Sequence, residues 1–136
     1  MRVLAGCLIA ATMMAAPAMA DEMWKTDIGP VMWEDDYNGG AIFMVEMGKG
    51  KVARFYIEGL KADDEARGHY NGYWINTADD GMCAAMMTGP DGTKSHNWGR
   101  LSMTFADQTF PATWTMLTGD CMAEPDQVLV GKPDQD

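Results

Sequence analysis

Few side chains beyond residue 20 can do chemistry, and two of them are cysteines, Cys83 and Cys121. An isolated pair in an oxidising compartment is most simply one disulfide. Closing a loop of about 38 residues is worth about 3–4 kcal/mol if the gain is chain entropy. No Cys-x-x-Cys spacing occurs, so a redox-active pair is not indicated.

Nucleophilic catalysis has little to draw on. The serines Ser95 and Ser102 and the histidines His69 and His96 are all that 21–136 contains of these types. Ser95 and His96 are adjacent, which does not suit a relay, and no Gly-x-Ser-x-Gly occurs. No Gly-rich loop leads to a Lys and a helix start, so phosphate cradling is also unsupported. Carboxylates run together at Asp35-Asp36, Asp63-Asp64-Glu65 and Asp79-Asp80. Acid–base work needs carboxylates in contrasting environments, whereas runs in turns are solvated. They offer oxygen ligands for calcium, without EF-hand spacing.

The methionines pose a sharper question. Met82-Cys83-Ala84-Ala85-Met86-Met87 and Met44-Val45-Glu46-Met47 gather thioethers, and soft thioethers select Cu(I). In a strand Met82 and Met86 point opposite to Met87, so such a site must assemble across strands. Met82, Met86 and His96 are its candidate ligands; the simpler reading makes the methionines core fillers. For an organic ligand the candidate set is Trp74, Trp98, Arg100, Tyr70 and Tyr73, because Trp and Tyr join a large apolar face to a polar tip. Within it, Trp98-Gly99-Arg100 is the most distinctive stretch. Gly99 would admit a backbone or ring at close range, and Arg100 could stack on a Trp.

These residues must be positioned by a chain of 136 residues, one domain's worth, with 20 acids against 10 bases and a net charge of −10. That balance argues against nucleic acid and anionic membranes and leaves room for cations or a basic protein. Residues 1–20, MRVLAGCLIAATMMAAPAMA, read as a secretory signal peptide: Arg2, an apolar stretch, then Ala18-Met19-Ala20 before Asp21. Leu4-Ala5-Gly6-Cys7 mimics a lipobox but precedes the apolar stretch it should follow. The expected location is periplasmic or secreted, with no membrane span in the mature chain. In 21–136 Leu, Ile, Val and Phe make up only 17 of 116 residues, below the ~20% that flags disorder at high charge. Ten Met, five Trp and four Tyr would complete the core.

Gly and Pro cut 21–136 into short runs about ten residues apart, an all-β cadence. Expected strands are 23–26, 31–35, 41–47, 52–58, 69–76, 82–87, 98–106 and 110–116, with a possible edge strand at 128–130; 52–58 and 98–106 alternate cleanly, with Ala53, Phe55 and Ile57 on one face of the first and Leu101, Met103 and Phe105 inward on the second. Asn38-Gly39 suggests a type I′ hairpin turn and Gly89-Pro90-Asp91-Gly92 a type I turn. Residues 59–68 read as a charged surface loop. The fold class is all-β: a small antiparallel up-and-down barrel or two-layer sandwich of seven to nine strands with one disulfide. The domain occupies 21–121 and a tail 122–136.

In size, secretion signal, single disulfide and β cadence the chain is similar to small periplasmic lysozyme inhibitors and to lipocalin-like or avidin-like barrels. No motif is shared from which a residue role would follow. The expected function is non-catalytic: a secreted or periplasmic small β-barrel that binds a small ligand, with no cofactor. The alternatives are an acidic, inhibitor-like module engaging a basic secreted protein, and a protein handling copper or calcium.

Overall fold

Alternation of buried and exposed side chains gives this chain its strands, and pairing of the first strand with the last closes them into a barrel. The computed structural model of the chain describes residues 22–64, 66–107 and 112–134. The expected signal peptide, 1–20, lies outside the described residues, as do 110–111 at the start of one expected strand. Ten strands are seen among the described residues: β1 (Met23–Thr26), β2 (Gly29–Tyr37), β3 (Gly40–Gly48), β4 (Lys51–Glu58), β5 (His69–Asn76), β6 (Met87–Thr88), β7 (Lys94–Ser95), β8 (Trp98–Phe105), β9 (Trp114–Thr118) and β10 (Gln127–Pro133). Eight of them form a closed barrel in the order β1-β2-β3-β4-β5-β8-β9-β10, and β6 pairs only with β7. Every barrel pairing is antiparallel, including the closure of β1 on β10 through Trp24↔Pro133 and Lys25↔Lys132. The up-and-down barrel, rather than the sandwich, is therefore the architecture. Closure leaves no free sheet edge.

The predicted alternation holds on β4, where Ala53, Phe55 and Ile57 face inward, and on β8, where Leu101, Met103 and Phe105 do. Four large rings fill the lower interior. Phe43 stacks on Trp24 at 4.9 Å and packs against Trp33 and Trp114 at 5.2 and 6.4 Å. Trp24 and Trp114 meet edge to face at 6.0 Å. Gly131 on β10 makes room for Trp114, whose indole lies where a side chain would start.

A salt bridge closes the base. Arg67 is 4% exposed, and its Nη1 and Nη2 donate to Glu22 Oε2 and Oε1 at 2.8 and 2.9 Å. The guanidinium lies over the rings of Trp33 and Phe105 at 5.4 and 5.5 Å. Residues 59–68, expected as a charged surface loop, thus carry a buried plug, because Leu60 and Arg67 turn under the barrel.

Residues 77–97 form a strap on the outside of the wall. They cover a second small core of Ile42, Tyr56, Ile75, Cys83 and Trp98. The strap is pinned by the Cys83–Cys121 disulfide. It is also held by the Tyr56 hydroxyl donating to Asp91 at 2.8 Å and Trp98 Nε1 donating to Ala85 O at 2.7 Å.

Four expectations need correction. The expected strand 82–87 is not one: only Met87–Thr88 pairs, because Ile75↔Trp98 closes β5 directly on β8 and leaves this segment outside the wall. The Asn38-Gly39 turn is not type I′. Only Gly39 takes a positive φ, 140°, and its N–H donates to Tyr37 O at 2.7 Å. The region beyond Cys121, expected as a tail with an edge strand at 128–130, instead supplies β10, paired on both sides. Leu129 and Gly131 fit beside Trp114 and hold it there. Finally, the methionines are mostly not core. Met103 and Met116 are buried, whereas Met47, Met82, Met86 and Met122 are 44–71% exposed. Most other inward positions on the strands are taken by Trp, Phe and branched aliphatic side chains.

Candidate functional site

The end of the barrel opposite Arg67 is open. There β4 and β5 place Phe55 directly across from Trp74, both inward. Trp74 is fixed by its Nε1, which donates to Gly119 O at 3.0 Å. That contact depends on Gly99: a side chain there would collide with the Gly119 carbonyl and with Trp74 Nε1. The Gly99↔Cys121 bridge sits at the same crossing. Gly99 thus admits both a backbone and a ring, as its place in Trp98-Gly99-Arg100 suggested.

Above Phe55 and Trp74 lies a cavity of about 270 Å³, floored also by Ala53 and Leu129. Its rim is apolar and exposed: Ile28 from the β1–β2 turn, Met47, and Val128 of β10 are 42%, 44% and 65% accessible. Met47 lies where the β3–β4 register shifts between Glu46 and Gly48; such bulges re-aim a side chain. Asn76, Asn97, Thr118 and Gln127 add polar atoms to the wall. Asn97 is oriented by its own Nδ2, which donates to Ala78 O at 3.0 Å. Asp120 is the charged side chain of the lining.

Of the residues singled out in sequence, this mouth contains Trp74. Tyr70 also points inward but sits lower, edge to face with Phe105 at 6.1 Å, and its hydroxyl accepts the Gly68 N–H. Tyr73 faces outward and stacks on Tyr56 at 4.9 Å, and Trp98 lies under the strap. Arg100 is exposed on the outer face, with Nη1 donating to Met122 O at 3.3 Å. The five aromatic and basic candidates are therefore divided by the barrel wall, as alternation along β5 and β8 requires.

The candidate metal ligands Met82, Met86 and His96 all belong to the strap, where the Cys83 N–H donates to His96 O at 2.8 Å. Met82 and Met86 are exposed on the strap, and His96 Nδ1 pairs with Asp79 at 3.1 Å. The His96 side chain, with help from its backbone N–H, holds the Asp79 carboxyl below the ordinary value. Among the described residues no group of three or more His, Cys, Asp or Glu side chains is arranged to hold a metal ion. Ser95 is buried and its hydroxyl accepts the Asn97 N–H.

Two shifted groups mark the strap's anchorage. Burial, foremost, pushes the Tyr56 hydroxyl well up. At Asp91 burial opposes ionisation. Hydrogen bonds from Tyr56 and Thr93, together with the Arg54 charge, outweigh it and hold the carboxyl below its usual value.

Apart from Trp74, none of the mouth residues was a candidate in sequence, Ile28, Met47, Phe55, Asn97 and Asp120 among them. Phe55 was legible as inward-facing, but its pairing with Trp74 needed the β4–β5 register. The loop residues carried no signal of their own.

Fold and site together define an up-and-down barrel with a closed base and an open apolar mouth. Eight strands give a bore that side chains can fill or that can hold one small ligand; here the lower half is filled and the upper half is not. No protein-family model, curated protein or solved structure matches the chain. Among the described residues no helix is long and apolar enough to cross a membrane.

Proposed function

We propose that this is a non-catalytic, secreted or periplasmic binding protein whose barrel mouth takes one small organic ligand. The observation that carries the reading is the cavity above Phe55 and Trp74, rimmed by the exposed Ile28, Met47 and Val128. Exposed apolar side chains around a concavity are the usual mark of a ligand site. At about 270 Å³ the cavity lies just under the ~300–1,000 Å³ range of pockets for drug-sized molecules, so the ligand is small. Asp120 gives the lining a negative charge, no Lys or Arg is among the lining residues, and the whole chain carries −10. A neutral or cationic head is therefore favoured over an anionic one. Trp74 and Phe55 offer ring faces to a cation. Secretion is supported by the leader-like residues 1–20 and by the disulfide, which persists in oxidising compartments.

Titration with hexylamine and hexanoate, followed by tryptophan fluorescence, tests this reading. Saturable quenching by the amine, at least about tenfold tighter than by the acid (~1.4 kcal/mol), is expected. Trp74→Phe should remove most of the optical response. Equal or tighter binding of hexanoate would reverse the charge assignment, and no saturable response to either would remove the site.

A further inference from the structure

The outer face of the barrel carries a row of thioethers that the mouth does not use. The β1–β2 register sets Met23 directly opposite Met32, and the β2–β3 register sets Met32 directly opposite Met44. All three point outward, since their strand neighbours Trp24, Val31, Trp33, Phe43 and Val45 are buried in the interior. Directly opposed residues on one face have Cβ atoms about 4.5–5.5 Å apart. Three sulfurs on flexible stems therefore lie within reach of a common point. They share one outer cavity of about 230 Å³ with Pro30 and Glu46, and each methionine is half-buried.

We propose that Met23, Met32 and Met44 form a binding site for a soft monovalent cation, Cu(I). Thioethers are soft, neutral donors that select Cu(I) over harder ions such as Ca²⁺ and Mg²⁺. Three of them leave the ion's single charge uncompensated, and Glu46 at the edge of the same cavity supplies a carboxylate. The next residue in the cross-strand row is a cation, Arg54, opposite Met44. Its guanidinium is engaged by Glu34 of β2 at 2.8 Å and lies 3.7 Å from Asp91 of the strap, so its charge is already balanced by carboxylates. A purely structural ladder on a sheet surface would favour branched or aromatic side chains, and none of the three positions has one. This site is separate from the mouth, and neither proposal depends on the other.

The test uses the full mature chain with Cu(I) supplied from bicinchoninate, and Ag(I) as a redox-inert stand-in. Native mass spectrometry reads stoichiometry, and methionine methyl resonances identify the sulfurs. The expected result is one equivalent of either ion, with the shifted methyl signals assigned to Met23, Met32 and Met44. Ca(II) and Mg(II) in excess should not displace it. Met32→Leu conserves volume and should weaken binding at least tenfold, with the circular dichroism and melting curve unchanged. The control Met82→Leu/Met86→Leu should leave binding as it was. No retained ion, or methyl shifts confined to Met82, Met86 and Met122, would overturn the proposal. So would equal weakening in both variants.

Discussion

Arg67 shows what a single residue does at the closed end of this molecule. Its guanidinium is buried between the rings of Trp33 and Phe105 and satisfied by both oxygens of Glu22. Removing one member of a buried pair leaves a charge without compensation, at a cost of about 3–5 kcal/mol. Arg67→Met should lower unfolding stability by that amount in denaturant titrations. Glu22→Leu/Arg67→Met should recover most of the loss, because no charge is then stranded.

Asp91 makes a second, pH-dependent contribution. Its folded carboxyl is held below the ordinary value, so its stabilisation is full above the unfolded value near 3.8 and fades as pH falls through the folded one. The stability difference between the native chain and Asp91→Asn should be constant at neutral pH and shrink below about pH 4. Neither residue was legible as important in sequence. Arg67 sits in a run of charges, and its partner lies 45 residues away. Asp91 reads as a turn residue, and it is that as well: its Oδ1 accepts the Thr93 N–H.

At the scale of elements the informative piece is the strap, 77–97. It has little regular structure, two residues in each of β6 and β7, and it covers a small apolar patch on the outer wall. Its hold on the barrel includes the disulfide, the Tyr56–Asp91 hydrogen bond, the Trp98–Ala85 contact and the Arg54 guanidinium, which donates to Thr93 Oγ1 at 3.1 Å. Cys83→Ala/Cys121→Ala should cost about 3–4 kcal/mol. It should also raise amide exchange in 77–97 while β3, β4 and β8 stay protected. The cysteine pairing was readable from spacing and compartment, and the strands with clean alternation, β4 and β8, were readable residue by residue. The strap was misread as a strand because Met82 to Met87 is apolar in both registers. A sequence does not say whether such a run lies inside a sheet or upon it.

The whole molecule is a cup. Barrel closure depends on β1 meeting β10, a pairing between chain ends that no local pattern announces, which left barrel and sandwich open in sequence. The same closure decides which aromatics fill the bore and which face out, so the candidate ligand set could not be narrowed to Trp74 beforehand. Four rings and the Arg67–Glu22 pair occupy the base, and the mouth above Phe55 and Trp74 remains hollow. The central claim is that this hollow holds one ligand. Calorimetric titration of hexylamine into the native chain and into Thr118→Trp, whose indole would occupy the mouth, tests it most directly. One equivalent of heat-releasing sites in the native chain, absent from a Thr118→Trp protein that melts cooperatively, is the predicted result. Binding unchanged by that substitution, or absent from the native chain, would contradict it.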